Sequence, residues 1–221
     1  MSFAAGQANA VTYNLGALIT SGDSFTIGDK TFDDFGFASA QFNANDATVT
    51  PMIDGNGVYH LNFQGPWVAM FGQVADINLN YTVATTSGQP LIEAIGQSYV
   101  LSAAGTGGFI LIGETVGTGG FAGPATAQSS LSFVAGDPGA TDLEDPAPEP
   151  ITGDDLIVNP TQAKLWVTKD IFFGANQQGL IGPTTITQSF YQVSMPEGGT
   201  TALALGLALG GIGLVRRKLT A

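Results

Sequence analysis

The feature that most restricts how this chain can fold is an alternation of apolar and polar residues with a period of two. The clearest example is residues 76–86, where large apolar side chains alternate with smaller, mostly polar ones. The apolar members are Ile77, Leu79, Tyr81 and Val83. Successive side chains of a strand point to opposite faces, so this pattern predicts a strand with one buried face and one wet face.

Residues 164–172 show the same period with bulk on both sides. One face carries Leu165, Val167 and Ile171, interrupted by Lys169, and the opposite face carries Trp166, Thr168 and Phe172. Large side chains on both faces are typical of a strand with neighbours on either side. We therefore expect residues 164–172 to be a central strand.

Eight further segments have strand-like composition and length. They are residues 24–27, 31–38, 47–53, 58–63, 92–102, 109–116, 129–134 and 185–193. Short runs rich in Gly, Asn, Asp and Pro separate them and favour turns. About ten short strands, with no convincing helix before the C-terminal tail, predict an all-β fold of the antiparallel β-sandwich or jelly-roll type.

Residues 136–155 interrupt this series of predicted strands, because they contain seven acidic residues and four prolines. Proline and charge together oppose a packed strand, so we expect an exposed acidic loop within a single domain spanning residues 11–194. A domain boundary at this point is the alternative. Calcium prefers carboxylate oxygens, and Asp142, Glu144 and Asp145 could supply them. Residues 54–57 could also offer oxygens, but a simple Asp-Gly turn is the preferred interpretation there.

The charge balance excludes some partners. Residues 11–194 hold three lysines and 17 acidic residues, which leaves a net charge of −14. Such a surface repels the phosphate backbone of nucleic acids and anionic lipid headgroups. The chain has no cysteine, which removes disulfides, thiol nucleophiles and cysteine-ligated metals. No cofactor is expected apart from calcium at the acidic loop.

Residues suited to catalysis are few, and no enzyme activity is predicted. His60 is the single histidine, and no Gly-x-Ser-x-Gly nucleophile motif occurs, so a surface strand position is the expected role of His60. Paired carboxylates can hydrolyse glycosides. Candidates are Asp33, Asp34, Glu93 and Glu114, but no spacing singles them out. An extracellular hydrolase therefore remains a distant alternative.

Three aromatic residues in or near predicted loops could instead form a platform for sugars. They are Tyr13, Trp67 and Phe71, and Trp67 follows a Gly65-Pro66 turn. Aromatic rings with polar neighbours are common in carbohydrate sites, although core packing is the usual fate of such residues. A row of exposed rings would favour sugar binding, and buried rings would favour a structural role.

The last 27 residues form a segment of a different kind. Residues 200–215 carry no charge and precede Arg216, Arg217 and Lys218. As a helix they would span about 24 Å, somewhat less than the roughly 30 Å of a bilayer core. The basic cluster would stay in the cytoplasm and place residues 1–194 across the membrane. An ordinary anchor or a buried apolar helix are the alternatives.

The residues before this segment are Met195, Pro196, Glu197, Gly198 and Gly199. A short Pro-acidic motif, an apolar helix and a basic end together resemble the PEP-CTERM class of bacterial sorting signals, in particular the variant that begins Val-Pro-Asp-Ser-Gly. Met195 and the two glycines depart from that variant. The resemblance implies processing of residues 195–221 by an exosortase-type membrane enzyme. Pro196 and Glu197 would be recognition residues, and the host would make exopolysaccharide and biofilm.

The first ten residues fit a secretory origin. Ala8 and Ala10 match the small-residue pattern of a signal-peptidase site, so residues 1–10 are interpreted as the remnant of an export signal. Residues 28–35 and 167–171 resemble extracellular domains found with PEP-CTERM tails. We therefore expect an exported, non-enzymatic surface or matrix protein associated with exopolysaccharide. The alternative is a carbohydrate-binding module or adhesin of the same architecture.

Overall fold

A computed structural model describes residues 11–104, 108–123, 125–134, 153–175 and 179–193. The predictions for Ala8 and Ala10, for calcium at Asp142, Glu144 and Asp145, and for residues 195–221 lie outside these ranges. None of the helices within the described ranges has both the length and the apolar character needed to cross a bilayer.

The described chain is built almost entirely of strands. In order, the elements are β1 (Tyr13–Asn14), α1 (Leu15–Ser21), β2 (Phe25–Ile27), β3 (Lys30–Ala38), a 3-10 turn (Ala44–Asp46), β4 (Thr48–Ile53), β5 (Tyr59–Gln64), β6 (Ala69–Met70), β7 (Val74–Thr85), β8 (Ile92–Ala104), β9 (Gly108–Gly117), β10 (Ala125–Val134), β11 (Gly153–Gln162), β12 (Lys164–Ala175) and β13 (Leu180–Gln192).

These strands form two antiparallel sheets, which confirms the all-β prediction and is consistent with a β-sandwich. The seven-stranded sheet has the order β1-β4-β5-β13-β8-β11, with β6 paired to β13. The six-stranded sheet has the order β10-β9-β12-β7-β3-β2. The expectation that residues 164–172 form a central strand is confirmed, because β12 pairs with both β7 and β9.

All ten strands predicted from the period-two pattern are present, with ends shifted by a few residues. The prediction of no helix before the tail is wrong for α1. Asn14 caps this helix by accepting a hydrogen bond from the amide of Ala17 at 2.9 Å, and Gly22 ends it in the left-handed conformation at φ 66°. The acidic loop also ends earlier than predicted, because Gly153–Asp155 pair with β8 as the start of β11.

The inner faces of both sheets enclose one hydrophobic cluster. In β3 the alternation is broken by a register shift between Asp33 and Gly36, so that Phe32 and Phe35 both point inward. A β-bulge of this kind places one extra residue on the outside of the strand. That residue is Asp34, with φ 54°, and it lies at the mouth of the cleft described below.

Candidate functional site

The outer surface of the six-stranded sheet carries an unusual row of side chains along β12. Trp166, Thr168, Asp170 and Phe172 all point away from the core, while the residues between them are buried. Trp166 and Phe172 are six positions apart along the strand, a span of about 20 Å. We call this row and its cross-strand neighbours on β7 and β9 the β12 face.

The middle of the β12 face is polar. Asn80 and Thr115 lie opposite Thr168, and Asn78 and Gly113 lie opposite Asp170. A Cβ atom at Gly113 would have only Asp170 within 4 Å, so the surface beside this aspartate is open. The amide, hydroxyl and carboxyl groups give the centre both hydrogen-bond donors and acceptors.

At one end of the β12 face, Trp166 borders a cleft of about 530 Å³. The cleft is also lined by Asp23, Asp33, Asp34 and Phe121. Lys164 Nζ lies 4.7 Å from the centroid of the Trp166 ring and 4.0 Å from Asp34 Oδ2. Contact with the cation holds the indole at the edge of an acidic depression.

At the other end the surface becomes apolar. The rings of Phe109 and Phe172 are 5.3 Å apart, and Leu111 lies directly opposite Phe172. Phe172 and Leu111 are 38% and 40% exposed, values high enough for a ligand to reach their side chains. The β12 face is therefore a polar strip bounded by aromatic groups at both ends.

Asp170 and Asp76 form a carboxyl pair on this strip. Partial burial, together with a hydrogen bond and charge repulsion from Asp76, raises the pKa of Asp170 above its ordinary value of 3.8. Asp170 therefore binds its proton more tightly in the folded state than in the unfolded state. As pH rises through the interval between the unfolded and folded pKa values, this carboxyl lowers the stability of the protein. At neutral pH the two carboxylates therefore repel each other.

Asp170→Asn is expected to raise the thermal midpoint at pH 7 and to leave it unchanged below pH 3.8, the unperturbed value. The gain should stay under about 1 kcal/mol, because solvent screens exposed charges. Asp46→Asn, which removes the same charge from the 3-10 turn, is the matched control. Equal effects of the two variants at pH 7 would contradict a specific Asp76–Asp170 repulsion.

The aromatic residues proposed from the sequence do not share one surface. Trp67 is only 1% exposed and lies in the core, where its ring packs against Phe37 at 6.4 Å, which is the core packing given above as the usual fate of such residues. Tyr13 is partly buried and stacks on Phe25 at 4.6 Å. Phe71 is 70% exposed, in the turn that follows β6. These three positions form no sugar platform together.

His60 lies on the outer face of the seven-stranded sheet, as expected. Its Nδ1 is 2.9 Å from Ser189 Oγ, and its Nε2 is 3.6 Å from Asp54 Oδ2. These residue types match a hydrolytic triad, but Ser189 lies within β13, which is paired on both sides. Because the sheet ladder occupies the backbone groups around Ser189, they are not available to stabilise an oxyanion.

The carboxylates proposed for glycoside hydrolysis are dispersed. Asp33 and Asp34 line the cleft beside Trp166, and Glu93 borders a second cleft beside β11. Glu114 is only 2% exposed and forms an ion pair with Lys169 inside the sandwich. Within the described ranges, no three acidic, histidine or cysteine residues are arranged to hold a metal ion.

The β12 face itself was not proposed from the sequence. The period of residues 164–172 correctly assigned Trp166, Thr168 and Phe172 to one side. What the sequence did not show is that this side faces solvent, because bulk on both faces was interpreted only as a sign of a central strand. The spacing of Trp166 and Phe172 was the available signal.

No protein-family model matches the chain, and the comparison with curated proteins gave no match. The chain is weakly similar to several solved structures, of which two are named. One is the enzymatically active domain of tailspike protein 4 from bacteriophage CBA120, with TM-score 0.26 and 12% identity over 69% of this chain. The chain spans only 19% of that tailspike. The other is a family 11 carbohydrate-binding module from Clostridium thermocellum bound to a mixed-linked tetrasaccharide, with TM-score 0.18 and 13% identity, covering 73% of this chain and 91% of the module.

Proposed function

We propose that this protein is an exported surface or matrix protein that binds polysaccharide along its β12 face. The observation that carries the proposal is the outward row Trp166, Thr168, Asp170 and Phe172 on a central strand. Aromatic rings offer flat apolar surfaces to the C–H faces of sugar rings. The amides, hydroxyls and carboxyls between them can hydrogen-bond to sugar hydroxyls.

The acidic surface restricts which polysaccharide fits. Asp76 and Asp170 lie on the strip, and Asp33 and Asp34 lie beside Trp166, whereas Lys164 is already engaged with Asp34 and the Trp166 ring. An anionic glycan would meet like charge along the whole face. The proposed ligand is therefore a neutral polysaccharide, bound as an extended chain over about 20 Å.

Trp166→Ala is expected to weaken binding to neutral polysaccharides by at least about fivefold, since loss of a stacked ring costs roughly 1–3 kcal/mol. Affinity electrophoresis across a panel of neutral and anionic polysaccharides measures this directly. Phe71→Ala is the matched control, because it removes an exposed ring outside the β12 face. Equal retardation of wild type, Trp166→Ala and Phe71→Ala on every neutral glycan would refute the proposal.

Export and sorting form the second part of the proposal. The support is the order of elements in residues 195–221: Pro196-Glu197, an uncharged segment at residues 200–215, and the basic end Arg216, Arg217 and Lys218. In this proposal an exosortase-type enzyme removes the tail near Pro196-Glu197 at the membrane. Mass mapping of the C-terminus in strains with and without that enzyme tests it. If residues 197–221 are retained in both strains, the sorting proposal is wrong and the tail is a plain membrane anchor.

A further inference from the structure

Four polar side chains meet in the middle of the sandwich, between the two sheets. Lys169 and Glu114 lie opposite each other on β12 and β9, and Gln97 and Gln188 lie opposite each other on β8 and β13. All four are 2% exposed or less. The two sheets thus each contribute a cross-strand polar pair to the interior of the sandwich.

The contacts in this cluster bring an amine, an amide and an acid together. Lys169 Nζ donates to Gln97 Oε1 at 2.9 Å and is paired with Glu114 Oε2. Gln188 Nε2 donates to the carbonyl of Gly96 at 2.8 Å and to Glu114 Oε1 at 3.4 Å. Glu114 is therefore held between the amine and a second amide.

Stability alone does not account for such a cluster. The desolvation cost of a buried ion pair commonly matches or exceeds the attraction between its charges, and apolar replacements are often neutral or stabilising. The neighbouring Tyr81 is fully buried, and burial, followed by the negative charge of Glu114, raises the pKa of its hydroxyl well above the ordinary value, so the surroundings of the cluster are of low polarity. Low polarity favours any reaction that converts the two charges into neutral groups.

We propose that Lys169 and Gln97 form an intramolecular isopeptide bond, with Glu114 as the proton carrier. Glu114 first takes a proton from the Lys169 ammonium group. The neutral Nζ then attacks Gln97 Cδ, and the C=O electrons move to Oε1. Glu114 donates its proton to Gln97 Nε2 and takes the remaining extra proton from Nζ.

The adduct then collapses, the Cδ–Nε2 bond breaks, and ammonia leaves. The products are a secondary amide, free ammonia and a neutral Glu114, so the charges balance without any oxidant or cofactor. The bond would join β8 to β12 and thereby link the two sheets. It would close a loop between positions 72 residues apart, a constraint that restricts the unfolded chain much as a disulfide does. The chain contains no cysteine that could serve this purpose.

The test is a tryptic map and an intact mass of the folded full-length chain. The cross-linked protein should lack the mass of one ammonia molecule. Trypsin does not cut after an acylated lysine, so residues 31–164 should remain joined through Gln97 to a peptide with an uncut Lys169. The map is required because a succinimide at Asn56-Gly57 would also release ammonia.

Lys169→Met and Glu114→Gln should both abolish the branched peptide, whereas Lys164→Arg, which alters an exposed lysine and keeps the tryptic site at position 164, should retain it. Circular dichroism shows which variants fold. If a variant does not fold, the tryptic map of the wild-type chain alone decides whether the Lys169–Gln97 bond forms. A folded wild-type chain of unmodified mass that trypsin cuts after Lys169 overturns the proposal. Loss of one water, with the branch at Glu114, would overturn the assignment of Gln97 as the acceptor.

Discussion

Trp67→Ala is expected to lower the free energy of unfolding by about 3–5 kcal/mol, the usual cost of removing a buried large aromatic side chain. Trp67 is 1% exposed and packs against Phe37, so the substitution leaves a cavity that the surrounding strands can fill only in part. Equilibrium unfolding in urea, followed by circular dichroism, measures the change.

The second tryptophan of the chain provides the matched comparison. Trp166→Ala should reduce stability far less than Trp67→Ala, because its ring lies on the outer face of β12. Polysaccharide binding should show the reverse order once both proteins are folded. A Trp166→Ala variant as unstable as Trp67→Ala would mean that Trp166 belongs to the core and not to a binding surface.

Gly182→Ala is the second substitution for which we expect a large effect, a decrease of about 3 kcal/mol in the free energy of unfolding. An added Cβ at this position would lie 1.7 Å from the carbonyl oxygen of Trp67, which belongs to the backbone and cannot turn aside. The substitution therefore forces β13 away from the segment that leads into β6. A fall in the urea midpoint, with an unchanged slope, is the expected result.

Gly55→Ala is the control for this prediction. Gly55 lies in the turn between β4 and β5, and a Cβ added there would have no neighbouring atom within 4 Å. Removing the freedom of glycine from the unfolded chain should leave stability equal or slightly higher there. Similar losses at Gly55 and Gly182 would show that the close approach to Trp67 is not what matters.

The period-two pattern predicted the strands well because each strand has one face in a shared core. It even assigned Lys169 to the apolar face, where the structure places it. What the pattern did not predict is that Lys169 is buried with Glu114, since that contact joins strands whose paired residues are 55 positions apart. Local alternation fixes the face of a side chain, but not its partner.

Two other differences between the sequence prediction and the structure, at α1 and at Trp67, have local causes. The helix α1 is a single short apolar stretch, and its Asn14 and Gly22 caps were the only local signals for it. The Gly-Pro turn expected before Trp67 does not reverse the chain, because β5 and β6 run in the same direction along β13. The turn says nothing about exposure, and here the chain brings Trp67 beneath β13, where Gly182 leaves space for its backbone.

The position of β13 makes the domain mechanically asymmetric. This last described strand lies in the middle of its sheet and is hydrogen-bonded to β5 on one side and β8 on the other. Tension entering through Val193 would have to shear both ladders together. Tension entering at Val11 would meet β1, an edge strand of two residues paired only with β4. A domain tethered from its C-terminal side would therefore resist pulling far better than one tethered from its N-terminal side.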